Sequence, residues 1–229
     1  MSIEINRSIH RKYCLAQERY LIDGDLDLIL RRPVPRLKHL YRLKVYCMEN
    51  RLLSEFAAVA IGTECATDIG WHDMALRLSF RALMEAPVQK LLPLFIVYSV
   101  VQKLGLTIET VGYPVQRLLK VPSDPETLSG HLVRKRMREL ISGIQFRTSS
   151  TKYGRMRDSI WNGVAAHAGR LGSFLSRKDY LLPLVHLKLR RVANFAEFPE
   201  KLKVRLAQHC ELTIDPGLRR AILRALKGK

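Results

Sequence analysis

The sequence predicts an all-α protein of packed helical hairpins, with solenoid-like stacking as one arrangement, on three observations. Aromatic residues make up only 7% of the chain, while helix-favouring Leu, Ala, Arg and Lys are frequent. Apolar residues recur at three- and four-residue steps rather than alternating. The ten prolines and thirteen glycines are scattered as punctuation and gather into no linker. With 229 residues, 47% of them apolar and 26% charged, the chain can bury a sizeable core as one large domain or two small ones.

The acidic run Asp23-Gly24-Asp25-Leu26-Asp27 reads as a turn before a helix. A calcium loop would need Gly where Leu28 stands and a carboxylate where Val34 stands. A helix is expected over 36–51, after Pro33 and Pro35, with Leu37, Leu40, Tyr41, Lys44, Val45 and Met48 on one face and Lys44 as its one polar interruption. Helices over 52–69 and 71–85 follow, with Gly70 as the expected C-terminal cap of the first. Ala57, Ala58, Ala60 and Ala66 would face Ala75, Leu78, Ala82 and Leu83 in a tight antiparallel pair, which resembles a tetratricopeptide-type hairpin.

Residues 91–101 (LLPLFIVYSVV) are the most apolar stretch. Spanning a bilayer takes about 20 apolar residues, so this shorter run predicts a buried core helix with Pro93 in its first turn. Ser123 and Glu126 have capping-box spacing, so a helix is expected to start at Pro122-Ser123-Asp124-Pro125-Glu126. Further helices are expected over 155–175, 178–192, 199–211 and 216–227, the last opening on Asp215-Pro216. Its fifteen residues, DPGLRRAILRALKGK, resemble one helix of a HEAT-type repeat with Leu218, Ile222, Ala225 and Leu226 inward.

Charge divides the chain unevenly. Residues 131–229 hold 22 Lys and Arg against 7 Asp and Glu, whereas residues 1–130 hold 17 against 14. Like charges at that density destabilise a compact state unless a polyanion relieves them. The expected organisation is a weakly charged helical scaffold over 1–122 and a basic nucleic-acid-binding region over 123–229, or one continuous domain with those two halves.

Three groups of residues carry the expected contact. His131, Arg134, Lys135 and Arg138 lie at helical spacing on one face, opposite Val133, Met137, Leu140 and Ile144. The stretch 146–158 sets Arg147, Lys152, Arg155 and Arg157 among Thr148, Ser149, Ser150, Thr151 and Gly154, the residue types that hold phosphate. Phe146, Tyr153 or Trp161 would stack on an unpaired base. Lys188 with Arg191, and Arg220 with Arg224 and Lys227, form two smaller rows. For each group the alternative is a solvated face or a polar loop. Gly163, Gly169 and Gly172, with their cost in a helix, point to close packing or to close approach of a backbone.

The sequence thus predicts a non-catalytic binder of RNA or single-stranded DNA backbone in a nucleoprotein assembly with protein partners, without a cofactor or a metal. A second reading rests on residues 101–119, which resemble a helix-turn-helix DNA-binding regulator. Leu104-Gly105-Leu106-Thr107 would form its turn, and Thr107, Glu109, Thr110, Tyr113, Gln116 and Arg117 would face the major groove. Gly112 and Pro114 depart from that pattern, and a Gly-Pro turn in apolar core is the alternative. A third reading is a helical adaptor for an acidic protein.

The seven histidines have no metal-ligand spacing; His131 or His167 beside the basic cluster is the minor route to phosphodiester cleavage. Cys14, Cys47, Cys65 and Cys210 stand apart and form no C-x-x-C pair, so reduced, packed thiols are expected. The N-terminal MSIEINRSIHRKY lacks an apolar signal core, which predicts a cytoplasmic chain.

Overall fold

The computed structural model describes residues 20–34, 37 and 40–209. Helix accounts for 68% and strand for 3%, so the protein is mostly helical, as its composition predicts. The main buried cluster runs from Leu26 to Leu206 and joins both halves of the chain, with a small second cluster at Leu43 and Val45.

At the N-terminal end, β1 (Tyr20–Ile22) and β2 (Leu40–Arg42) pair in parallel, Tyr20 opposite Leu40 and Ile22 opposite Arg42, with α1 (Asp25–Ile29) between them. Gly24 enters α1 where the Val45 carbonyl comes so close that a Cβ would lie 2.5 Å from it, an approach open only to glycine. The helix expected over 36–51 is absent from the described residues there. Their backbone groups bond to distant partners instead: the Leu43 amide donates to Ile22 (2.9 Å) and the Tyr46 amide to Ser173 (2.9 Å). Leu43, Val45, Tyr46 and Cys47 are all buried, which a one-faced helix would not allow. Among the described residues of that region, only α2 (Glu49–Leu52) is helical.

Ser54 caps α3 (Glu55–Cys65), its Oγ accepting from the Ala57 amide at 3.2 Å. Every residue from Ala57 to Gly62 is buried, the pattern of a helix enclosed all round. Gly70 is the N-cap of α4 (Trp71–Leu78), not the C-cap of α3, because α3 has already ended at Cys65. The two helices meet closely at Gly62, where a Cβ would sit 2.7 Å from the Met74 sulfur.

Ser79, at φ 46, separates α4 from α5 (Phe80–Lys103). The apolar run over 91–101 is the buried centre of this helix, as its composition predicts. The helix starts earlier than expected, so Pro93 is interior to it, as is Pro87. Within Trp71–Lys103 an 18-residue window of mean hydropathy 1.3 is long and apolar enough to cross a bilayer, yet 72% of that window is buried inside the protein. Around α5 pack α6 (Gly130–Gln145), α7 (Ser150–Ala165), the 3-10 segment Ala168–Phe174 and α8 (Leu182–Ala193), with α9 (Pro199–His209) against α3.

No helix begins at Ser123. The Asp124 carboxylate accepts from the Glu126 amide at 3.0 Å and closes one 3-10 turn, Pro125–Thr127. The Glu126 side chain does not reach back as a capping box requires, because it is engaged by α8. Ser129 caps α6 instead. The helix expected over 155–175 starts at Ser150 and breaks after Ala165, with Arg170 non-helical at φ −134. The helix expected over 178–192 opens as a π-helical turn, Arg177–Leu181. The segment 216–227, with Arg220 and Arg224, lies outside the described residues, as do Cys14 and Cys210.

Candidate nucleic-acid interface

Helix α6 is amphipathic and placed by its apolar stripe. Val133, Leu140 and Ile144 are buried on the α5 side, which turns His131, Arg134, Lys135 and Arg138 outward, all four exposed. None of the four makes a hydrogen bond or ion pair through its side chain among the described residues. At about 1.5 Å of rise per residue, the row covers roughly 10 Å of the helix. Arg136 belongs to the same helix but is turned inward. It pairs with Glu139 (3.2 Å), donates to the Glu109 carbonyl (2.6 Å) and lies 4.2 Å over the Tyr113 ring.

The chain passes from α6 into α7 (Ser150–Ala165) through a short corner. Gln145 at the end of α6 donates to Ser150 Oγ (3.4 Å) at the start of α7. The stretch read as a phosphate loop is mostly helix. Ser149 acts as N-cap, its Oγ accepting from the Lys152 amide at 3.3 Å, which is why the Ser/Thr cluster sits there. Arg147, Lys152 and Arg155 are exposed and unpaired among the described residues. Arg157 is exposed too, but bonds Asp158 through Nε (2.9 Å) and Nη2 (2.8 Å). Phe146, at the corner, is 89% exposed.

Three expected contributors, Tyr153, Lys188 and Arg191, are buried or already paired within the fold. Tyr153 is 7% exposed, since the stripe it shares with Ile160 and Val164 packs inward, and a base has no access to its ring. Lys188 is 5% exposed and ion-paired with Glu126, and Arg191 bonds Asp124 (2.8 Å) and Glu126 (2.8 Å). Their charge is balanced within the fold by the two carboxylates. What the sequence did not disclose is that the acidic turn 124–126 lies against α8.

The Arg191 and Lys188 hydrogen bonds hold the Glu126 carboxyl well below the usual carboxylate range, at about 2. A depressed folded-state pKa stabilises above the ordinary value of 4.5 and is lost as pH falls towards 2. The Glu126 side chain is 53% exposed, so screening reduces the effect to about 1 kcal/mol, with a further share from leaving Lys188 unpaired. Glu126→Gln should therefore lower unfolding stability by about 1–2 kcal/mol at neutral pH. Urea titrations at pH 7 and again near the folded-state value of about 2 test this: the gap between variant and wild type should shrink in acid.

The helix-turn-helix resemblance has no counterpart in the structure. Helix α5 ends at Lys103, Gly105 turns the chain at φ 64, and residues 106–114 contain no helix. Only the 3-10 turn Val115–Leu118 follows, with Val115 and Leu118 buried. Pro114 and Gly112 fall where a recognition helix would have to run, and the segment serves as core edge.

His131 is exposed and unpartnered among the described residues, and His167 is held by the Gly163 carbonyl (Nδ1, 3.2 Å) and edge-on to Phe174. Among the described residues no three His, Cys, Asp or Glu side chains are placed to hold a metal ion. In the acidic run, Asp23 accepts from the Met48 amide (3.0 Å) and Asp27 pairs with Arg32 (3.0 Å). Burial pushes the Cys47 thiol up to about 12, so it stays protonated and packed. Compared with protein-family models, with curated proteins and with solved structures, the chain matches none.

Proposed function

We propose that this is a non-catalytic nucleic-acid-binding protein that holds the backbone of RNA or single-stranded DNA, as a cytoplasmic subunit of a nucleoprotein assembly with protein partners. The observation that carries the reading is the contrast among its cations. Lys188 and Arg191 on α8 and Lys201, Lys203 and Arg205 on α9 are committed to carboxylates, whereas Arg134, Lys135, Arg138, Arg147, Lys152 and Arg155 are exposed and, among the described residues, committed to none. Unpaired cations keep their counter-ions for a polyanion to release. Phe146, exposed among them, favours a strand with unstacked bases. The helical hairpins, α3 with α4 among them, act as the scaffold for the basic half. The solenoid-like element of this reading rests on the C-terminal residues that resemble a HEAT-type helix.

Binding to random-sequence RNA, single-stranded DNA and duplex DNA across a salt titration tests it. Six phosphate contacts give a log-log slope of roughly −4 to −5. Weak, salt-insensitive binding to all three would sink the proposal and favour an adaptor that docks an acidic protein.

A further inference from the structure

Arg177 is a cation apart from the α6–α7 face, and the fold gives it no anion. Its Nη1 donates to the carbonyls of Asn50 (3.0 Å) and Leu53 (2.7 Å), closing the C-terminal end of α2. Its Nε is enclosed without a partner. No carboxylate lies within ion-pair distance among the described residues. Burial pulls the guanidinium pKa down, and the neighbouring Arg51 charge adds to this; the opposing group is Cys47, whose thiol is neutral. Nη2 is thus the nitrogen left over, neither enclosed nor bonded among the described residues.

The same side chain lines a cleft of about 540 Å³ between α5 and the 3-10 segment Ala168–Phe174. Met84, Val88, Leu171 and Leu181 give it apolar walls. Glu85 also lines it, but its carboxylate is drawn to Arg81 at 2.8 Å. At Gly169 a Cβ would meet nothing within 4 Å, so the cleft is open there. A cation among apolar walls is the arrangement by which a concave site orients a ligand through a few polar groups.

We propose that this cleft binds a small amphiphilic anion, its carboxylate or phosphate paired with Arg177 and its short hydrocarbon body lying along Met84, Val88, Leu171 and Leu181. This site is independent of nucleic-acid binding and stands or falls separately from it. Nη2, the nitrogen left over, can donate a charge-assisted hydrogen bond to an oxygen of either anion.

Calorimetric titration with octanoate, hexyl phosphate, inorganic phosphate and octanol tests the proposal. Octanoate and hexyl phosphate should bind one to one with Kd below about 1 mM, at least about tenfold tighter than octanol or inorganic phosphate. Arg177→Gln, which removes the charge, should weaken octanoate about tenfold. Because Arg177 also supports α2 and its variant is at risk of misfolding, Gly169→Leu is the second probe. It fills the cleft from an open position and should abolish octanoate binding while thermal stability and RNA affinity are unchanged. Octanol binding as tightly as octanoate, a Gly169→Leu protein that binds octanoate like wild type, or no binding of either amphiphile would each overturn the proposal.

Discussion

Replacing Phe95 by Ala should cost about 3–5 kcal/mol of unfolding free energy, the range for truncating a buried aromatic. Phe95 is fully buried, and its ring stands edge-on to three tyrosines, Tyr46 at 5.6 Å, Tyr98 at 5.5 Å and Tyr180 at 5.0 Å. Those rings come from the chain entering α2, from α5 itself and from the π-helical turn before α8, so one side chain ties together segments far apart in sequence. Truncation leaves a cavity and also loosens the Tyr98 to Tyr180 hydroxyl hydrogen bond (2.8 Å), which satisfies both groups in the interior. Against a total stability of about 5–15 kcal/mol for an ordinary domain, the loss should remove from about a fifth to all of it and lower the denaturant midpoint in proportion. Phe146→Ala, at a ring 89% exposed, is the control and should leave the midpoint in place. A Phe95→Ala protein as stable as wild type would show that the core is not organised around this ring.

The elements that the sequence made legible are those whose determinants are local. The run 91–101 is apolar at every turn, so burial follows from composition alone, and the amphipathic stripe of α6 fixes which of its cations face solvent. Where the determinants are distant, periodicity misleads. Residues 43–47 have helical spacing, but their amides are claimed by Ile22 and Ser173. The Ser/Thr cluster at 148–151 looks like a phosphate-binding loop because N-caps and phosphate sites use the same hydroxyls and free amides. Lys188 and Arg191 resemble a free basic row because their acidic partners lie more than sixty positions earlier. Lone charges in sequence therefore say how much charge the fold must place. Which cations remain unpaired is decided by tertiary contacts.

That distinction sets the sharpest expectation for binding. In the Arg134→Glu, Arg138→Glu double variant, affinity for random-sequence RNA should fall about 100-fold at 0.1 M salt. Each phosphate contact on a single strand contributes a salt exponent of about 0.7, so losing two at 0.1 M removes about 25-fold, and the two introduced carboxylates add repulsion. The log-log salt slope should become shallower by about 1.4. Both side chains are exposed and unpaired among the described residues, so thermal unfolding should be unchanged within about 0.5 kcal/mol. Arg191→Gln provides the opposite pattern. Its guanidinium is held by Asp124 and Glu126, so its loss should lower stability and leave the salt slope as in wild type. A count of basic residues would rank all three arginines alike, and only their pairing separates them. If Arg191→Gln flattened the slope as much as the double reversal, or if the double variant bound RNA like wild type, the unpaired face of α6 would not be where the polyanion sits.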